Sequence, residues 1–122
     1  MENKKLLGAF GEDLACAFLK KRGYKIIGRN FACRYGEIDI IAVDRRFVAF
    51  VEVKLRKNAN FALAREYVTP QKQRRIITTA QIWLQRNPTE LQPRFDVIEV
   101  YASEGIHTKN PEINHIEDAY WV

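Results

Sequence analysis

The chain has 122 residues, 47% of them hydrophobic, and 20 Lys and Arg against 15 Asp and Glu give a net charge of +5. That describes one domain able to bury a core without disulfide or metal staples, and too apolar to be disordered. No apolar run approaches a bilayer span, the lysine-bearing start lacks the apolar stretch of a signal peptide, and Cys16 and Cys33 make no CxxC pair, so the expected setting is the reducing cytoplasm, away from any membrane.

Residues 4–22 carry Leu7, Phe10, Leu14 and Phe18 at helical spacing, with Gly23 as the stop. Tyr24–Ala32, Gly36–Val43 and Val48–Arg56 read as strands, the last two joined across Asp44-Arg45-Arg46-Phe47. Residues 57–68 read as a loop. Thr69-Pro70 has the form of an N-cap followed by proline at the first helical position. The helix it opens sets Ile76, Ile77, Ala80, Trp83 and Leu84 on one face and ends at Asn87-Pro88. Arg94–Tyr101 is a fourth strand, and a weaker strand or turn falls within Ile113–Val122. The order α-β-β-β-α-β predicts an α/β fold, a mixed sheet with helices packed on it.

Asp39, Glu52 and Lys54 interrupt strands that are otherwise apolar on both faces, as central covered strands are. Buried charges need partners, so a wet sheet edge is disfavoured and a working site favoured. If Asp44–Phe47 is a four-residue loop, Val43 pairs with Val48, Ile41 with Phe50 and Asp39 with Glu52, on one face with Cβ atoms about 5 Å apart. A three-residue loop would put the two carboxylates on opposite faces. Paired carboxylates repel unless a cation lies between them, and Mg²⁺ suits one or two carboxylates, retained waters and substrate phosphate. Lys54, one pleat along from Glu52, would then serve a water or offset developing charge. Lys72 extends the buried face of its helix toward the sheet and needs an anionic partner. An E-x-K triplet alone decorates many solvated strands; the upstream Asp39, the apolar context and the basic surface give it weight.

Charge is divided along the chain: residues 1–94 hold 19 basic and 9 acidic side chains, residues 95–122 hold 1 basic and 6 acidic. A basic body suits a polyanion such as nucleic acid. Arg45, Arg46, Arg56, Lys57, Arg65, Lys72, Arg74 and Arg75 would form a phosphate-contacting rim, and Tyr35, Phe61 and Tyr67 would stack on unpaired bases. His107 and His115 have no cysteine beside them, so zinc is not expected.

Asp39 followed by Glu52-Val53-Lys54 resembles the core of the PD-(D/E)XK nuclease superfamily, the restriction-endonuclease-like fold. More narrowly, GEDLACAFLKKRGY (11–24), RNFACRYGEIDIIA (29–42), FVEVKLR (50–56) and RFDVIEV (94–100) resemble the YraN family of small bacterial proteins. The predicted relatives of that family include the archaeal Holliday-junction resolvases, metal-dependent nucleases of similar size. The resemblance implies one nuclease-like domain over residues 1–122, with an acidic segment from about 102. It implies an early helical glutamate in the site, at Glu12, which shares a helical stripe with Cys16 and Leu19. The catalytic set is then Glu12, Asp39, Glu52 and Lys54, with Mg²⁺ or Mn²⁺ on Asp39, Glu52 and Glu12. Glu37 is a further ligand or an arginine partner.

The reading is a metal-dependent endonuclease on nucleic acid, with DNA and branched or repair intermediates favoured. A homodimer would suit two symmetric cuts. Its rivals are a binding module of the same fold that grips without cutting, and a regulatory partner docking through the acidic tail. No P-loop, Ser/His/Asp set or GxGxxG supports a nucleotide enzyme.

Overall fold

In the computed structural model, the described residues are 4–57 and 68–120. They form α1 (Lys4–Lys21), β1 (Lys25–Cys33), β2 (Gly36–Val43), β3 (Phe47–Arg56), α2 (Pro70–Arg86), β4 (Gln92–Tyr101), a short 3₁₀ turn (Gly105–His107) and β5 (Glu112–Ile116). The expected loop at 57–68, together with Arg65, Phe61 and Tyr67, lies almost wholly outside the described residues.

The local signals act where the sequence puts them. Gly23 takes φ +91° and closes α1, with Tyr24 N donating to Leu19 O at 3.0 Å. Thr69 Oγ1 accepts from Lys72 N at 3.2 Å and caps α2 ahead of Pro70. At the β2–β3 hairpin, Asp44 Oδ1 accepts from Arg46 N and Phe47 N, each at 2.8 Å, which fixes the four-residue loop. Val43 therefore pairs with Val48 and Ile41 with Phe50, the register the apolar pattern requires.

The strands form one sheet in sequence order. Only β3 and β4 run parallel, because α2 carries the chain back across the sheet between them; the other neighbours are antiparallel. The two helices cover opposite faces. Ile38, Ile41, Val48, Phe50, Phe95 and Val97 pack with Ile76, Ile77 and Ala80 of α2. Ile40, Ala42, Ala49, Val51, Ile98 and Val100 pack with Ala15, Cys16 and Leu19 of α1. That double cover is why β2 and β3 are apolar on both faces. The segment within Ile113–Val122 contributes a true fifth strand, paired to β4 from Val97↔Ile116 to Tyr101↔Glu112.

One expectation is corrected on α1. The stripe Leu7, Phe10, Leu14 and Phe18 is only half-buried, and the buried line is Gly11, Ala15, Cys16 and Leu19. Small residues decide this, because they let the helix backbone come close to β3. A Cβ on Gly11 would already lie 3.6 Å from Leu55 Cδ1 and 3.7 Å from Val53 Cγ1.

Candidate active site

Asp39 sits where the sheet departs from regular alternation. Ile40 packs on the α1 side, yet Ile38 packs on the α2 side. On β1, Arg29 reaches the carboxylates of α1 while Phe31 joins the α2-side core. Both strands therefore change face across one position, and Asn30 there takes φ 52°, a left-handed conformation asparagine tolerates better than most residues. The β2–β3 ladder runs to Ile40↔Val51. One residue further the same register sets Asp39 against Glu52, and there a side chain replaces the backbone: Val53 N donates to Asp39 Oδ2 at 2.8 Å.

Asp39 and Glu52 line one cavity of about 470 Å³ between the end of the sheet and the start of α2, with Glu37, Gln71, Lys72 and Arg75. Burial pushes the Asp39 carboxyl up, and repulsion from Glu52 adds to it, to about 7 despite the Val53 N–H. Glu52 is 8% exposed and carries two ammonium groups on one oxygen: Lys72 Nζ at 2.7 Å and Lys54 Nζ at 3.3 Å from Oε1. Lys54 follows from the strand period, since residues two apart share a face. Lys72 comes from the first turn of α2, one turn ahead of buried Ile76. Burial and the neighbouring Lys72 pull Lys54 below its ordinary value, against the attraction of Glu52. Burial works most strongly against the charge on Lys72 too, but its contacts with Glu52 and Lys54 and the attraction of Glu52 and Asp39 together outweigh that and hold it above its ordinary value. Of the two amines, Lys54 is the one held below its ordinary value and Lys72 the one held above it.

The other expected members fall at varied distances from this centre. Glu12 is not in the Asp39–Glu52 cavity. It accepts from Asn30 Nδ2 at 3.0 Å and lies 3.4 Å from Arg29 Nη2, lining a neighbouring cavity that shares Glu37 with the first. Its charge is still close enough to help raise Asp39. Arg74 and Arg75 line a second cavity, of about 740 Å³, that shares Gly36, Gln71 and Arg75 with the carboxylate cavity. Arg56 and Lys57 follow Lys54 at the end of β3. Arg45 and Arg46 lie in the β2–β3 loop at the opposite end of the hairpin. Asp44 lies five positions along the strand from Asp39, roughly 17 Å, so these two arginines are not part of a rim around the carboxylates.

The donor set bears on a metal ion. Among the described residues, no three His, Cys, Asp or Glu side chains gather as one ion's ligands. An ion in the cavity would therefore rest on Asp39 and Glu52 and complete its shell with water and phosphate oxygens. That is the habit of Mg²⁺ rather than of a fully protein-ligated metal. The residues fit such an ion, and the repulsion that raises Asp39 is what a cation would relieve.

Sequence reasoning passed over a second charged network. On the α1 side of β4, Arg94 and Asp96 form a bidentate pair, Nε to Oδ1 at 2.9 Å and Nη2 to Oδ2 at 2.8 Å. His115 Nε2 lies 2.8 Å from the same Oδ2, Asp118 N donates to Oδ1 at 3.0 Å, and Arg94 Nη2 also bonds the Tyr24 hydroxyl. Burial alone would raise Asp96, but the bonds from His115 and Arg94 outweigh it and hold the carboxyl below its ordinary value. The signal was present, since Arg94-x-Asp96 is a charged pair inside an apolar strand, as Glu52-x-Lys54 is. Asp96 is fully buried and ties β4 to β5 and the turn after it through His115 and Asp118 N, while its partner Arg94 reaches Tyr24 just ahead of β1. Glu99 was also missed. It is buried, faces Asn114 Nδ2 at 2.9 Å and is the β4 register partner of Lys54.

Fold and cluster together define a mixed α/β protein with a buried carboxylate–lysine centre at the open end of its sheet. The chain belongs to the uncharacterised protein family UPF0102, the YraN family, whose model matches residues 11–100. It is 44% identical over 119 residues to a UPF0102 protein of Caldanaerobacter subterraneus subsp. tengcongensis, covering 97% of each chain. UPF0102 proteins of Geobacter sulfurreducens and Geotalea daltonii are 44% and 47% identical to it over 119 residues, covering 97% of this chain and 91% of theirs. The matched span takes in Glu12, Asp39, Glu52, Lys54 and Lys72. Among the described residues, no helix is long and apolar enough to cross a membrane.

Proposed function

We propose that this chain is a metal-dependent nuclease of the PD-(D/E)XK type that hydrolyses phosphodiester bonds in nucleic acid, with DNA favoured. One observation carries the reading. Asp39 and Glu52 line one cavity, Lys54 is bonded to Glu52 though it is not itself among the lining residues, and that cavity adjoins another lined by arginines. Asp39 and Glu52 are the residues to hold Mg²⁺ or Mn²⁺, which when bound offsets phosphate charge and lowers the pKa of water. Lys54, depressed by burial and by Lys72, accepts the proton of the attacking water or meets the charge building on phosphorus. Lys72 keeps its proton and fixes Glu52 from α2. Glu12 acts from the adjoining cavity, through its charge and by holding Arg29 and Asn30 of β1, rather than as a ligand. Arg74 and Arg75 hold flanking phosphates.

The test is a cleavage panel of single-stranded, duplex, flap and four-way DNA and RNA with Mg²⁺ or Mn²⁺, beside a metal-free control, run on wild type, Asp39→Asn and Lys54→Ala. The expected result is metal-dependent cutting that both variants lose by orders of magnitude while binding persists. Equal cutting by the variants would assign the activity to another site or a contaminant. Tight binding with no cutting on any substrate would leave a nucleic-acid-binding module of the same fold.

A further inference from the structure

The β1–β2 turn holds two exposed side chains on a clamped backbone. Cys33 pairs directly with Gly36, so Arg34 and Tyr35 form a two-residue loop. Both keep negative φ, unlike the primed turns that normally suit such short hairpins. The turn's position is fixed by packing on α2. Cys33 Sγ contacts Thr79 Oγ1 at 3.6 Å and accepts from Tyr35 N at 3.4 Å, and Thr79 is fully buried and bonded to Arg75 O at 2.8 Å. A Cβ on Gly36 would lie 3.2 Å from Thr79 Oγ1, so any other residue would need the turn or Thr79 to give by a few tenths of an ångström.

Tyr35 belongs to neither core cluster and is 45% exposed, so packing does not explain it. The Arg34 guanidinium sits 5.0 Å from its ring centroid. Turn and helix together wall the 740 Å³ cavity, whose lining includes Arg34, Arg74 and Arg75 and no carboxylate. Among the described residues none of these three arginines is in an ion pair. Gly36, Gln71 and Arg75 are common to this cavity and the Asp39–Glu52 cavity.

We infer that Arg34, Tyr35, Arg74 and Arg75 form a subsite for an unpaired nucleotide strand running out of the carboxylate cavity. Tyr35 stacks on a base and the guanidiniums take the phosphates on either side of it. The assignment rests on the nucleic-acid reading above and narrows it to substrates with an unpaired segment beside the cut. Three arginines alone would hold any polyanion, duplex included. The exposed tyrosine on a seated turn makes the difference, because a base already stacked and paired in a duplex has no face to offer it.

The experiment is an anisotropy titration, without divalent ion, of a short oligothymidylate, the matching oligouridylate and a duplex of the same length. It compares wild type, Tyr35→Phe and Tyr35→Leu, which differ in aromaticity at similar bulk and sit on an exposed turn. Tyr35→Leu should weaken both single strands roughly five-fold to a hundred-fold, the range for one stacked base, with duplex affinity within about two-fold of wild type and Tyr35→Phe close to wild type. A sugar preference between the two oligonucleotides would identify the strand within the same subsite. Unchanged single-strand binding by Tyr35→Leu, or an equal loss on duplex, would overturn the assignment. If wild type never cuts but the Tyr35 dependence holds, only the nuclease reading fails. If it cuts and Tyr35→Leu binds strands normally, only the subsite fails.

Discussion

Lys72 Nζ lies 2.7 Å from Glu52 Oε1 and so fastens the first turn of α2 to β3. The same oxygen meets Lys54, which makes Lys72 a control on the second lysine. Lys72→Met should cost about 1–2 kcal/mol, less than a fully buried pair because the Lys72 side chain is 39% exposed. Thermal melts would show a drop of a few degrees. With the neighbouring charge gone, Lys54 should hold its proton more tightly, and the rising limb of the pH–rate profile should move to higher pH. A profile that stays in place would separate Lys54 from the proton transfer.

Asp39 gives a pH signature. Its folded-state titration is raised from 3.8 to about 7, so the folded protein binds a proton that the unfolded chain releases earlier. Stability from this group is complete below the unfolded value, falls as pH climbs toward the folded one, and is flat above it. Each pH unit between the two is worth about 1.4 kcal/mol. Asp39→Asn keeps an acceptor for Val53 N and removes the charge. Its stability advantage over wild type should grow from pH 4 to pH 7 and then level, as urea denaturation at each pH would report. An advantage that shrinks with pH would contradict the assigned repulsion.

A divalent ion should relieve that repulsion. Mg²⁺ or Mn²⁺ should raise the melting temperature of wild type more than that of Asp39→Ala, and should shrink the pH 7 advantage of Asp39→Asn. Identical responses from the three proteins would mean that Asp39 does not hold the ion.

Asp96 is expected to matter for stability rather than for phosphate chemistry. Asp96→Ala leaves Arg94, 5% exposed, without its carboxylate and removes the acceptor of His115 and of Asp118 N. The expected cost is about 3–5 kcal/mol. The depressed Asp96 titration means this contribution is present above the ordinary aspartate range and lost as pH falls through the folded value. Denaturant titration of the variant at neutral pH checks the cost; a loss below about 1 kcal/mol would show the network to be dispensable.

Phosphate contacts should appear as salt dependence. Arg74→Ala with Arg75→Ala should lower affinity across all sequences and flatten the log–log salt slope by about one unit per lost contact. Arg45→Ala with Arg46→Ala, at the far end of the hairpin, should leave the slope nearly unchanged. Equal effects from the two pairs would place the strand across the whole sheet face instead of the α2 end.

Much of the fold was legible because it is encoded locally. Thr69-Pro70, Gly23 and Asp44 each bond or bend backbone within a few residues, so helix ends and hairpin register could be read without tertiary information. Asp39, Glu52 and Lys54 were legible for a related reason: strand alternation is a fixed period, and a four-residue loop settles parity. Lys72 followed from the 3.6-residue period of α2. What could not be read depended on how close elements come and where strands deviate. Gly11 and Ala15 rotate α1 so that its large residues flank the contact, and that rotation sends Glu12 to Arg29 and Asn30 rather than to Asp39. The face change at Asn30 and Asp39 comes from one left-handed residue, which no periodicity announces. Tyr24 and His115 are distant in the chain from the Arg94–Asp96 pair and from each other, and they reach it only in the folded chain. Likewise Arg34 and Tyr35 gain a role only when Gly36 lets their turn seat against Thr79. A strand or helix can present only what its sequence supplies; which presented groups meet is settled by how closely the elements pack, and that belongs to the folded chain alone.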